Sequence, residues 1–252
     1  MTAAVGWGIN VAERLRPSLP VTEVRDFRVR KGLVLDGSQP PRARVVVQPE
    51  ADGAGALRLS FHDDGVNTPL PRYEGVFRTA PVAPAPPRLG LPSGPVAGPA
   101  PHPAYGDGFL FHGPLLQGLG AVLAEDDSQL TIAARLPDPQ LARGAYAGRL
   151  YSPALADLLL QAAALLGRRL CGHRCLPVAV ERVQLFAPLP DDEPFVIVVD
   201  LLEQEPLELT CTVTACGPQG EVLQRWQAVK GIVAAPELGS RAAWPTPRTA
   251  AV

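Results

Sequence analysis

The sequence predicts an α+β protein built from two lobes of one design, each a long helix wrapped by an antiparallel sheet. Three observations predict it. A helix-like segment followed by four strand-like runs occurs twice along the chain. Between the copies, nine of the 23 positions from Pro81 to Pro103 are proline, a density that neither a helix interior nor a central strand tolerates. The 252 residues are 46% apolar and 19% charged, enough to bury a sizeable core. The expected division is a first lobe over residues 1–80, a Pro-rich linker over 81–104, a second lobe over 105–234 and a flexible tail over 235–252.

Residues 2–15 read as the first helix, with Ala, Val, Trp and Ile on one broad side and Pro17 closing it. Four runs follow at 21–35, 42–48, 56–62 and 72–79. Alternation is clear in Arg25, Phe27, Val29 and in Leu57, Leu59, Phe61. Asp36-Gly37, Asp52-Gly53 and Asp64-Gly65 supply turn chemistry.

The second copy opens on the strongest helix, 152–170. Ser152 suits its cap, Pro153 its first turn, and Arg168-Arg169 its C-terminal end. Strand runs follow at 178–187, 194–202, 207–215 and 221–233, with turns at Pro190-Asp191-Asp192 and Gly217-Pro218-Gln219-Gly220. A helix with its own four-stranded sheet is a hot-dog arrangement, and two in tandem make a double hot-dog. The second helix has a lead-in, residues 105–151, for which the first lobe has no counterpart. The first lobe is therefore expected to be N-terminally incomplete and to expose a sheet edge.

Composition narrows the function classes. A formal net charge of -2 argues against binding a nucleic acid through its phosphates. No apolar run reaches the roughly 18 residues of a membrane span. The N-terminus lacks the basic region of a secretory signal. Four cysteines in this length fit reduced thiols and a cytoplasmic location.

Asp157 and Gln161 stand one helical turn apart beside the apolar stripe of Leu155, Leu158, Leu159, Ala162, Leu165 and Leu166. A carboxylate buried there has a raised pKa and can serve as a general acid, oriented by the neighbouring amide. The alternative is an exposed helix face, with Asp157 favoured by the N-terminal dipole.

The stretch LYSPALADLLLQAA (150–163) resembles the Asp-x-x-x-Gln segment in the second hot-dog of polyketide synthase dehydratase domains. FHGPLLQGL (111–119) resembles that family's Tyr-Gly-Pro-x-Phe-Gln-Gly segment, and LPVAVERVQLF (176–186) is similar to its Leu-Pro-x-Ser strand. The resemblance implies removal of water from a 3-hydroxyacyl chain carried on the phosphopantetheine of an acyl carrier protein. It makes Asp157 the acid and Gln161 the residue that holds it, with His112, Gly113, Pro114, Gln117 and Tyr151 as substrate contacts. It implies no metal or redox cofactor. Acyl carrier protein and other synthase domains are the expected partners, and a homodimer is left open. In that family the base is a His in His-x-x-x-Gly-x-x-x-x-Pro, just ahead of the first helix. His62, His102, His112 and His173 are the histidines here, and none stands in that motif. The expectation is a dehydratase-type domain with impaired activity, or else a non-catalytic double hot-dog that binds acyl carrier protein or fills a structural place in a synthase. A hot-dog thioesterase is a third reading.

His112 takes the position where the family motif has Tyr. It can bond the thioester region or replace the base, against the plainer reading of a loop His bonded to backbone. Cys171, His173 and Cys175 carry a weak zinc spacing, against which stands the default of small buried thiols. Arg168, Arg169, Arg174 and Arg182 offer a docking face for an acidic partner, or simply compensate the helix dipole.

Overall fold

The computed structural model describes residues 1–32, 42–50, 55–64, 70–92, 100–138, 140, 146–189 and 193–233. The turns expected at Asp36-Gly37, Asp52-Gly53 and Pro190-Asp191-Asp192, together with Gly65 and the tail over 235–252, lie outside these residues.

The first helix, α1, is Thr2–Leu15, and four strands follow it: β1 Val21–Val29, β2 Ala43–Pro49, β3 Ala56–Asp63 and β4 Tyr73–Thr79. A short helix α2, Pro103–Gly106, leads to a 3₁₀ turn at Pro114–Leu116 and to strands β5 Leu119–Glu125 and β6 Gln129–Ala134. Helix α3, Pro153–Cys171, precedes β7 Cys175–Leu185, β8 Phe195–Gln204, β9 Glu208–Cys216 and β10 Val222–Val233.

Helix α3 forms where its signals put it. The Ser152 hydroxyl accepts the Leu155 amide at 3.2 Å, Pro153 occupies the first turn, and Gly172 ends the helix at φ 71, a left-handed conformation glycine adopts without strain. Helix α1 has no side-chain cap and is held by packing.

All ten strands form one antiparallel sheet, ordered β2-β3-β4-β1-β7-β10-β9-β8-β6-β5. Outward from the β1–β7 seam, the strands after α1 run first, fourth, third, second, and those after α3 run in the same order. The sheet does not stop between the two halves, because Val24 lies opposite Val183 and Arg25 opposite Arg182. Beyond β8 the sheet continues into β6 and β5, whereas β2 ends it. The first five residues of β8 are accordingly buried, and none of β2 is.

One apolar core spans both halves, joining Val5 and Ile9 of α1 to Leu155 and Leu158 of α3 and to the inward faces of the strands. Each such aliphatic or aromatic side chain contributes about 1.5–3 kcal/mol on burial. Trp226 is fully buried, while Trp7 is partly buried against the Phe61 ring at 5.0 Å. The Pro-rich segment is tied to the second half: Leu89 and Leu91 pack against Phe186, Cys216 and Val222, and the Leu89 amide donates to the Gly220 carbonyl at 2.8 Å.

Candidate active site

Helix α3 turns Asp157 and Gln161 toward the loop that precedes β5. Gln161 is buried, and every polar atom of its amide is used. Its Nε2 donates to Asp157 Oδ2 at 2.8 Å and to the Leu116 carbonyl at 3.0 Å, and its Oε1 accepts from the Tyr105 hydroxyl at 2.6 Å. The Tyr105 oxygen in turn accepts the Leu119 amide at 3.1 Å. This relay fixes the amide's orientation, so that an N–H, not a carbonyl, meets the carboxylate. Burial pushes the Tyr105 phenol up to about 12, so it remains a donor at neutral pH.

Asp157 is less enclosed than the apolar stripe suggested. Its side chain keeps 22% of its exposure. Both of its polar contacts fall on one oxygen. Gln161 donates to Oδ2, and His112 Nε2 lies 3.3 Å from the same atom. Oδ1 is left as the oxygen through which a proton can pass.

His112 therefore does not have the backbone-bonded ring of an ordinary loop histidine. Its ring stands between the Asp157 carboxylate and Phe111, stacked on the latter with centroids 4.6 Å apart. Burial lowers its pKa, and the Asp157 charge opposes that shift. Its Nδ1 is buried with no hydrogen-bond partner among the described residues. The Gln117 amide donates to the His112 carbonyl at 2.9 Å and clamps the loop.

Gly113 and Pro114 shape that loop. Gly113 precedes the 3₁₀ turn begun by Pro114, and the turn delivers the Leu116 carbonyl to Gln161. Tyr151 is placed differently. It is fully enclosed, its hydroxyl donates to the Thr2 carbonyl at 2.8 Å, and burial, then the Asp157 charge, raises its pKa. It ties the start of α1 to the loop ahead of α3. The Met1 amino group is also largely buried, which lowers its pKa against the opposing charge of Asp157, so the start of α1 lies on the carboxylate's side.

Sequence reasoning missed Tyr105. The one available signal was an aromatic residue with a polar tip just before the Gly-Pro loop, and its partner Gln161 is 56 positions away. The four arginines do not form one face. Arg182 pairs with Glu23 on β1 at 3.2 Å, Arg168 with Asp107 at 2.7 Å, and Arg169 with Glu125 at 3.3 Å. All four cysteines are free, and burial raises Cys175 to about 11 and Cys211 to about 12. An apolar hollow beside Cys175 and Cys211 takes Leu160, Ala163 and Ala164 from α3, and neither Asp157 nor Gln161. No helix among the described residues is long and apolar enough to cross a membrane.

The family model described as the polyketide synthase dehydratase N-terminal domain matches residues 89–234, more than half of the chain. The chain belongs to the polyketide synthase dehydratase family. It is 30% identical over 205 residues to a polyunsaturated fatty acid synthase subunit from Thraustochytrium sp., and the alignment covers 78% of this chain and 7% of that protein. Solved dehydratase domains share the fold. The dehydratase domain from the CurF module of curacin polyketide synthase superposes with a TM-score of 0.71 at 16% identity, covering 93% of this chain and 84% of that one. A dehydratase domain of a mycocerosic acid synthase-like polyketide synthase gives 0.70 at 17% identity, covering 92% and 82%. The architecture is thus the α+β hot-dog fold of polyketide synthase dehydratases, as the order of elements predicted.

Proposed function

We propose that this dehydratase-family chain removes water from a 3-hydroxyacyl group carried as a phosphopantetheine thioester on an acyl carrier protein, releasing the 2-enoyl thioester. The observation that supports this reading is the Asp157 carboxyl, held through Oδ2 by Gln161 and accompanied at 3.3 Å by the His112 imidazole. Protonated on Oδ1, Asp157 gives its proton to the departing 3-hydroxyl. The C2 proton needs a base nearby, and His112 is the imidazole beside the acid. Burial favours its neutral form, which can accept a proton. An acid and a base so close suit an elimination across adjacent carbons. The chemistry calls for no metal or redox cofactor. Acyl carrier protein is the partner, other synthase domains are the neighbours, and the free thiols fit the cytoplasm.

The test is formation of the 2-enoyl thioester from a 3-hydroxyacyl-phosphopantetheine substrate. Wild type should form it, and Asp157→Asn should lower the rate by about 10²–10⁴-fold. Equal rates in the two proteins overturn the reading. Release of free acid identifies a thioesterase instead, and binding without elimination identifies a non-catalytic double hot-dog.

A further inference from the structure

The run CGHRC after α3, residues 171–175, plays no part in the elimination proposed above. Cys171 is the last residue of α3 and Cys175 the first of β7. Gly172 takes φ 71 between them and turns the chain back toward the helix, its amide donating to the Arg168 carbonyl at 2.8 Å. The Cys175 sulfur thereby comes to rest against Gly167, where an added Cβ would stand 2.9 Å from it. Gly167 and Cys171 lie one turn apart on the same helix face, so the sulfur is brought to Cys171 as well. The two thiols hydrogen-bond each other. A Cβ at Gly231 would stand 3.2 Å from the Cβ of Cys175. Glycine on both sides thus leaves the room that this side chain fills. Cys175 is buried, whereas Cys171 is partly exposed, and the Cys171 sulfur accepts from the Gln204 amide at 3.8 Å. Among the described residues no three His, Cys, Asp or Glu side chains are placed to hold a metal, so the chemistry of this run falls to its sulfurs.

We propose that Cys171 and Cys175 form a redox modification site, a dithiol that hydrogen peroxide closes to a disulfide joining the end of α3 to the start of β7. The exposed Cys171 meets the oxidant first. Its thiolate attacks one peroxide oxygen, the O–O bond breaks, and a sulfenic acid and hydroxide form. The Cys175 sulfur then attacks the sulfenic sulfur, the S–O bond breaks, and water leaves. The hydroxide takes up the proton that Cys171 gave, so two thiols and one peroxide become one disulfide and two waters. Burial, then the neighbouring Cys171 sulfur, raises the Cys175 thiol to about 11, which makes it slow toward free oxidants. Beside Cys171 the step is intramolecular, and proximity offsets the small thiolate fraction. The other two cysteines are placed apart from this pair. Cys211 is on β9, which β10 separates from β7. Two strand spacings are about 9.5 Å, beyond the roughly 4.4–6.8 Å between Cα atoms that a disulfide spans. Cys216 ends β9 at its far end, opposite Val222.

The experiment treats the reduced full chain with hydrogen peroxide, blocks the remaining thiols by alkylation, and maps the products by mass spectrometry. Wild type should lose two hydrogen atoms, carry a bond between Cys171 and Cys175, and regain both thiols on treatment with dithiothreitol. Cys211 and Cys216 should stay alkylatable after denaturation. Dimedone, which traps sulfenic acid, separates the two steps. Cys175→Ala should be labelled at Cys171, and wild type about tenfold less, because closure outruns trapping. Cys171→Ser should leave Cys175 unmodified at the same peroxide dose. A bond to Cys211 or Cys216, a dimer of two chains through Cys171, or peroxide leaving all four thiols intact overturns the proposal. Dimedone labelling of wild type equal to that of Cys175→Ala removes Cys175 from the reaction and overturns it as well.

Discussion

The half of the chain that begins with α1 and the half that begins with α3 have one strand order and use their polar residues differently. On α1, Asn10 donates to the Ala147 carbonyl at 2.7 Å, and Glu13 accepts the Val21 amide at 3.0 Å. These side chains fasten backbone. On α3, Gln161 reaches a carboxylate and a phenol, groups that can hold and move protons. The cores differ as well. The first half gathers Trp7, Phe27, Phe61, Tyr73 and Phe77 into an aromatic cluster, while α3 buries a leucine stripe. A repeated scaffold thus supplies two similar platforms, and the proposed chemistry takes its acid from one of them.

The comparison breaks most easily at these polar residues. Asp157→Asn is expected to abolish most turnover while leaving the thermal midpoint close to wild type. Glu13→Ala should do the opposite, losing about 1–3 kcal/mol of stability because it strands the Val21 and Arg149 amides. Denaturant melts beside the thioester assay decide the matter. A large stability loss in Asp157→Asn would mean that α3 also uses its polar residues for scaffold.

Core truncations sharpen the comparison further. Phe77 and Leu158 are both fully buried, one in each half. Each change to Ala should cost about 2–5 kcal/mol. Because the sheet and the core are continuous, each variant should still unfold in one transition, the same by fluorescence and by far-UV circular dichroism. Two separated transitions in Phe77→Ala would show that the halves are energetically independent despite the shared sheet.

A smaller effect concerns pH. Burial holds the His112 pKa below 6.5, so the folded protein takes up that proton less readily than the unfolded chain. The sign follows: stability is untouched above about pH 6.5 and is lost as pH falls from there toward the lowered folded value. The charged group beside the imidazole is the Asp157 carboxylate on α3, 3.3 Å away, and the Phe111 ring stacks on its face. The carboxylate's charge opposes the shift that burial causes. Subtracting the pH–stability curve of His112→Gln from that of wild type should isolate this acid-side loss. Identical curves would mean that the ring is effectively solvated.

Local chemistry carried much of this into the sequence. Ser152, Pro153 and the leucine stripe define α3 without reference to anything distant, and the i, i+4 spacing alone brings Asp157 to Gln161. The hydrophobic alternation of β1 and β7 marks both as strands, but nothing within either run says that they pair with each other across more than 150 positions. Alternation reports a buried face, not a neighbour. The same limit hid Tyr105 and the contact of His112 with Asp157, which depend on how the Gly-Pro loop docks on α3. Arg182 looked close to Arg168 in sequence, yet a strand and a helix end carry them to different neighbours.

That seam provides the smallest expected effect. Arg25 and Arg182 lie directly opposite each other across β1 and β7, an unfavourable arrangement of like charges. Glu23 sits among them, 2.5 Å from Arg25, 3.2 Å from Arg182 and 3.7 Å from Arg78, with 14% of its side chain exposed. Glu23→Gln leaves three guanidinium groups facing one another where the two halves of the sheet meet. The arginines are partly solvated, so the cost should be about 1 kcal/mol and should shrink as salt screens the repulsion. Arg182→Gln made in the Glu23→Gln background should recover part of that loss, because it removes a like charge instead of a partner. In the wild-type background the same change should destabilise. A double-mutant cycle measures this reversal of sign. If Arg182→Gln has the same effect in both backgrounds, the carboxylate does not hold the seam, and backbone pairing alone joins the halves.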